Sequence, residues 1–231
     1  MQIDVIARIK TPFDEKFGIP RQSGLASELP GEIHFEKKYS DMKAVEGLEG
    51  FDYIWIIWEF EGVAQEEFRP RIRPPRLGGN EYMGVFATRS PFRPNPLGLS
   101  CVKLERVEKT EAGPVLHVTG ADLRNNTPIY DIKPYIPYVD AHPDAKEGFT
   151  ATTKDYSLNV KIDEETQKKL ETVPENLRAG LIQVLSQDPR PAYHDDPVRI
   201  YGMKFAGFEV KFRVEEETVY VVSVDNTSNA E

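Results

Sequence analysis

Apolar and polar residues alternate along Ile3-Asp4-Val5-Ile6-Ala7-Arg8-Ile9 and again along Glu32-Ile33-His34-Phe35-Glu36. This two-residue period belongs to strands with one buried face. Residues 52–60 form a continuous, aromatic-rich apolar run, which predicts a strand buried on both faces. Further strands are expected over 82–88, 100–108, 115–119 and 129–135, with 100–108 and 115–119 joined as a hairpin across 109–114. A short helix is expected over 41–48, with Ser40 as its cap. At least six strands and hardly any helix predict a closed antiparallel barrel or a sandwich, because closure removes exposed strand edges. No strand–helix–strand rhythm appears, which weighs against a doubly wound nucleotide-binding fold.

The pattern changes after residue 138. Residues 138–156 are polar and irregular, a candidate linker. Beyond them, Asp163 is placed to cap a helix over 164–171, and Pro174 to open another with Leu177, Leu181, Ile182 and Leu185 on one face. Strands are expected over 200–205, 208–214 and 218–224, with a frayed tail from Asp225. The expected fold is mainly β: an antiparallel β-barrel domain over 1–141, followed by a small α+β C-terminal domain over 157–226.

Composition excludes several classes. The 231 residues carry a formal charge of −9, which argues against non-specific nucleic-acid binding by bulk attraction. The apolar run Tyr53-Ile54-Trp55-Ile56-Ile57-Trp58 falls short of the roughly 20 residues that span a bilayer. The N-terminal stretch lacks a signal-peptide apolar segment, so a cytoplasmic location is expected. A lone cysteine, Cys101, and four scattered histidines (His34, His117, His142, His194) predict neither a disulfide nor a metal centre.

One segment departs from the global charge. Residues 68–100 hold six arginines (Arg69, Arg71, Arg73, Arg76, Arg89, Arg93), six prolines, no lysine, and Glu81 as the one acid. Planar guanidinium forks grip phosphate or carboxylate in fixed geometry, and proline holds a loop in shape. Three loop stretches combine polar groups with rigid frames: Pro20-Arg21-Gln22, residues 89–96 and residues 122–128. Ordinary turn chemistry explains such stretches equally well at 122–128. It accounts poorly for Arg93-Pro94-Asn95-Pro96, where two prolines present one arginine and one amide.

The runs GIPRQSGL (18–25), PRLGGNEYMGVFATRSPFRPNPLGLS (75–100) and ADLRNNTPIYDIKPYIPY (121–138) together resemble the TsaA/TrmO-like family of tRNA methyltransferases. Residues 187–193 resemble the C-terminal domain of its bacterial members. The resemblance implies a barrel that binds S-adenosyl-L-methionine in a non-Rossmann manner near a homodimer interface. It implies methylation of N6 of threonylcarbamoyladenosine next to the tRNA anticodon, with the C-terminal domain assisting tRNA binding. By position it implies cofactor contacts from Pro20, Arg21, Gln22, Glu61, Gly62, Arg89, Leu99, Thr119, Gly120, Ala121, Asp122 and Leu123. The chain departs at Glu61-Gly62, where some relatives carry His-Gln, and at Asn125-Asn126, where others carry Asp-Gly.

A sulfonium methyl donor needs no metal or protein nucleophile, so catalysis would rest on alignment and on a proton acceptor. Asp131 and Asp122 are the candidate acceptors, and structural carboxylates at turns or strand ends explain them equally well. Arg93 and Asn95 are expected to hold the threonyl carboxylate or the anticodon-loop backbone. Arg69, Arg71, Arg73, Arg76 and Arg190 are expected at anticodon-stem phosphates, and Tyr135, Tyr138 or Phe92 against a base. A non-catalytic RNA-binding barrel and a small-molecule methyltransferase of the same fold are the competing readings.

Overall fold

A computed structural model describes residues 2–62, 68–74, 77, 81–152, 154–191 and 196–227. Six antiparallel strands close into a barrel in the order β1 (Ala7–Lys10), β2 (Pro30–Phe35), β7 (Gly113–Thr119), β6 (Leu97–Thr110), β3 (Tyr53–Glu59) and β8 (Thr127–Pro134), with β8 returning to β1. Alternation drives closure: Ile9, Ile33, Ile54, Ile56, Leu116 and Ile129 point inward and are fully buried.

β3 corrects one expectation. Ile54, Ile56 and Trp58 enter the core, while Tyr53, Trp55 and Ile57 face outward and are partly or fully exposed. A strand in a barrel that encloses its own core has one inner face, so an apolar run there is not evidence of burial on both sides.

The expected strand over 82–88 is a two-residue β5 (Met83–Gly84), paired with β4 (Arg71–Ile72), followed by a single 3₁₀ turn Val85–Ala87. Both the amide and the hydroxyl of Thr88 donate to the Val85 carbonyl, at 3.2 and 2.8 Å. That local bonding competes with a ladder and ends the strand. The expected helix over 41–48 is also a 3₁₀ turn, Met42–Val45, and its cap is Asp41, whose carboxylate accepts from the Lys43 amide at 2.9 Å. Ser40 bonds back to the Lys37 carbonyl instead.

After a short α1 (Pro137–Asp140), the chain builds a second sheet in the order β10 (Tyr201–Phe205), β11 (Phe208–Glu215), β12 (Thr218–Asn226), β9 (Asn159–Ile162). Two helices accompany it, α2 (Glu164–Leu170) and α3 (Glu175–Ser186). Asp163 caps α2 as expected, its carboxylate accepting from the Thr166 amide. On α3, Leu181, Val184 and Leu185 are buried, whereas Ile182 is 41% exposed and stands off the packed face. β9, parallel to β12, is a strand that the sequence pattern does not predict.

The two cores do not divide where the sequence divides. Phe13, Ala26 and Leu29, from the loop joining β1 to β2, belong to the hydrophobic core of the second sheet. Phe13 meets Phe205 edge-on at 5.5 Å between centroids, and Phe17 stacks on Phe212 at 6.3 Å. Gly18 has φ +91°, and a Cβ on it would lie 2.0 Å from Met203 Sδ. The Ala206 amide donates to the Pro12 carbonyl at 2.8 Å. A segment of the expected 1–141 domain is thus folded into its neighbour.

Candidate functional site

The site begins where the barrel wall opens. β6 pairs with β3 from Leu97 onward, but its pairing with β7 begins at Lys103. The first residues of β6 therefore offer an edge, and two loops cover it. Ser23 Oγ accepts from the Cys101 amide at 3.2 Å. The Gly24 amide donates to the Gly120 carbonyl at 2.8 Å, and the Gly120 amide to the Leu29 carbonyl at 2.9 Å. Gly120 has φ +79°, and its Cβ position lies 3.4 Å from Gly24 Cα, so glycine permits this close approach.

Under the loops runs a chain of polar contacts. Trp58 Nε1 donates to Ser100 Oγ at 3.0 Å, and the Ser100 hydroxyl donates to Asp122 Oδ1 at 2.5 Å. Burial raises the Asp122 pKa above the ordinary carboxylate value; the Ser100 hydroxyl, nearby backbone amides and the Arg89 charge oppose that rise without cancelling it. Arg89 Nη1 donates to Gln22 Oε1 at 2.5 Å. Gln22, Arg89 and Asp122, expected from three separate stretches, thus converge at one edge of the barrel. Ser23, Ser100 and Trp58 join them without having been singled out by sequence. Ser100 carried a signal, since it is a polar residue at an inward position of an alternating strand and requires a buried partner.

The other expected cofactor residues do not bond to this polar chain through their side chains. Leu99 is 52% exposed on the outer wall, opposite Ile57, because neighbours of Ser100 along the strand point the other way. Thr119 also faces outward and donates to Glu105 Oε1 at 3.0 Å. Ala121 and Leu123 are buried barrel-core residues, so from 119–123 the Asp122 side chain is the one that joins the polar cluster. Glu61 pairs with Arg124 at 3.0 Å, and Gly62 adopts φ +67° in the turn after β3. Pro20 and Arg21 turn toward the second sheet. They help line a hollow of about 100 Å³ with Val184, Gln187, Asp188 and Pro189. A larger hollow of about 250 Å³ lies between Phe17, Pro191 and residues 199–202. Among the described residues, neither hollow is lined by Arg89 or Asp122.

The expected catalytic trio is not assembled. Asp131 pairs with Lys133 at 2.8 Å and accepts from the Ile132 amide at 2.9 Å, on the strand wall opposite Ile57. Arg93 Nη1 donates to the Thr88 and Ser90 carbonyls at 3.0 and 3.3 Å, bracing its own loop. Asn95 is exposed, and its carbonyl accepts from the Leu97 amide at 2.7 Å.

The nucleic-acid candidates separate into two kinds. Arg71 and Arg73 lie over the Tyr82 ring at 5.2 and 4.5 Å, and Arg73 also hydrogen-bonds the Tyr82 hydroxyl. Beside them Phe68 stacks on Phe86, which is 72% exposed. Together with exposed Arg69 these residues form a cationic, aromatic arm; Arg76 lies outside the described residues. Tyr135 is half-buried against Tyr53 and Trp55. Arg190 is held within the second unit. Its Nε and Nη2 reach the two Asp188 carboxylate oxygens at 2.8 and 2.9 Å, with both side chains almost wholly buried. The guanidinium is thus neutralised inside its own loop.

Comparison with known proteins gives this geometry its context. The N-terminal domain of tRNA-methyltransferase O matches residues 8–141, and the TrmO C-terminal domain matches residues 155–227. The tRNA (adenine(37)-N6)-methyltransferase of Escherichia coli K12 is 38% identical over 229 residues, covering 97% of each chain. A Pseudomonas aeruginosa protein that bears the name of an S-adenosylmethionine-dependent methyltransferase is 40% identical over 213 residues, 90% of each chain. The crystal structure of TrmO from Pseudomonas aeruginosa superposes with a TM-score of 0.79 at 31% identity, covering 98% of both chains. These matches, which run across both the barrel and the second sheet, place this chain in the tRNA-methyltransferase O family.

Proposed function

We propose that this chain transfers the methyl group of S-adenosyl-L-methionine to N6 of the adenine at tRNA position 37, with threonylcarbamoyladenosine as the form it accepts. Family membership supports the reaction. The observation that carries the site is the convergence of Gln22, Arg89, Ser100 and Asp122 at the loop-covered edge of β6 that β7 leaves unpaired. The donor set fits the ligand. Arg89 offers a guanidinium to an amino-acid carboxylate.

When bound, S-adenosyl-L-methionine supplies an activated methyl group. The protein's own work is then to align the acceptor and to manage the N6 proton. An N6 flanked by a carbonyl is a weak nucleophile, so a base matters. We assign that role to Asp122 rather than Asp131. Asp122 is oriented by Ser100 and has a raised pKa suited to accepting a proton, whereas Asp131 is occupied by Lys133. Arg93 serves by stiffening the loop that carries Arg89.

The reading includes a homodimer. Tyr53, Leu97, Leu99 and Tyr138 are exposed apolar side chains on and beside the outer wall, a surface that a second copy would cover. It includes a cytoplasmic location, where tRNA resides; among the described residues no helix is long and apolar enough to cross a membrane. Calorimetric titration with S-adenosyl-L-methionine, beside mass spectrometry of tRNA nucleosides, tests the assignment. Arg89→Ala should weaken donor binding by about 10-fold or more, the scale of one charge-assisted hydrogen bond. Unchanged affinity in a folded variant would overturn the site.

A further inference from the structure

Arg21 and Gln22 are adjacent in sequence but bond in opposite directions. Gln22 accepts from Arg89 at the barrel edge. Arg21 Nη2 donates to the Arg190 carbonyl at 3.2 Å and, more loosely, to the Asp188 carbonyl at 3.4 Å, both in the second unit. Those carbonyls are themselves held. Asp188 adopts φ +52°, its carboxylate chelates Arg190, and the Tyr156 hydroxyl donates to its Oδ2 at 2.8 Å. The other end of the same loop is pinned by Gly18 against Met203 and by Phe13 and Phe17 against Phe205 and Phe212.

We infer that the second unit is a positioning scaffold for the methyl-donor site: the Asp188–Arg190 pair holds Arg21, and Arg21 sets Gln22 and Ser23 against Arg89 and the edge of β6. This rests on the proposed role of Gln22 and Arg89 in holding the donor. Consecutive Cα atoms are about 3.8 Å apart, so a displacement at Arg21 passes directly to Gln22 and to Ser23, which caps the Cys101 amide. Arg190 acts through its carbonyl and its ion pair as a positioning residue, and Arg21 acts through the second unit.

The test is calorimetric binding of S-adenosyl-L-methionine to the full chain, with separate KM values for donor and tRNA. Arg21→Ala should weaken donor binding by about 10- to 100-fold, the scale of a small misplacement at a reacting site, with little change in KM for tRNA. Arg21→Lys should recover part of the loss, since an ammonium can serve both carbonyls. Asp188→Asn should weaken donor binding similarly, and Tyr156→Phe less, since it removes a single hydrogen bond and keeps the fold. The double variant Arg21→Ala/Tyr156→Phe should be no worse than Arg21→Ala alone. Additive losses would mean that Arg21 touches the donor directly, and unchanged donor affinity in Tyr156→Phe and Arg21→Ala would remove the scaffold; either result overturns the inference. If Arg89→Ala binds the donor normally, the site assignment fails instead, so the two failures are distinguishable.

Discussion

Asp122 and Asp188 sit in loops, each accepts a hydroxyl hydrogen bond, and each lies near an arginine, yet their carboxyls are pushed in opposite directions. At Asp122 burial prevails: the Ser100 hydroxyl and a more distant Arg89 do not offset it, and the pKa rises. At Asp188 burial also favours the neutral form, but two direct bonds from Arg190 and one from Tyr156 overcome it, and the pKa falls. One carboxylate is under-compensated by the fold and the other is saturated. Under-compensation suits a group that must change protonation, and saturation suits a joint that must not move.

Substitution at Asp122 carries the largest expected effect. Asp122→Asn keeps the shape and the Ser100 contact while removing the base, and should lower kcat by about 10²- to 10⁴-fold. Stability should hold or rise. With a raised folded-state pKa, the ionised carboxylate is a destabilising element that is fully present above that pKa and is relieved as pH falls toward the unfolded value near 3.9. The asparagine variant should therefore gain on the wild type as pH rises from acid to neutral in urea titrations. Normal turnover by Asp122→Asn would show that the raised pKa is a by-product of packing.

The opposite sign is expected at Asp188. Its depressed folded-state pKa contributes stability that is present above the unfolded value near 3.9 and is lost as pH falls through the folded value. Asp188→Ala leaves Arg190 buried without its partner, at about 3–5 kcal/mol of unfolding free energy at neutral pH. The deficit should shrink below about pH 4, where the wild-type carboxylate is itself protonated in the unfolded chain. A deficit that stays constant down to pH 2 would mean that the ion pair contributes nothing beyond packing.

Strands of the barrel were legible because a closed sheet with one inner face imposes a period of two, as Ala7 and Ile9 of β1 and Ile33 of β2 show. Convergence of Gln22, Arg89 and Asp122 was legible as chemistry but not as geometry, since nothing in the sequence says which loop covers the short edge of β6. β9 escapes the pattern because Asn159-Val160-Lys161-Ile162 is short and half-exposed, and gains its place by parallel pairing with the distant β12. Arg190 shows in the sequence only as a charge, because its neutralisation depends on the left-handed turn at Asp188, two residues before it. Phe13, Ala26 and Leu29 read as loop residues, yet their burial partners lie in a sheet that begins more than a hundred residues later in the chain.

Arginine placement sharpens the same contrast at a smaller scale. Arg71 and Arg73 are exposed and laid over Tyr82, with no carboxylate partner among the described residues, so their charges remain available to phosphate. Arg71→Ala/Arg73→Ala should change unfolding free energy by no more than about 0.5 kcal/mol per site, as exposed substitutions do. Donor affinity should stay unchanged. Binding of an anticodon stem-loop should weaken, and the slope of log K against log salt should fall by roughly 0.7–0.9 for each phosphate that is no longer neutralised. Arg190→Ala is the counterpart, with stability reduced and the salt slope untouched. A slope unaffected in the arm variant but flattened in Arg190→Ala would reverse the division between presented and structural arginines. Normal methylation of tRNA by the arm variant, at physiological salt and limiting tRNA, would show that the arm lies off the path of the substrate.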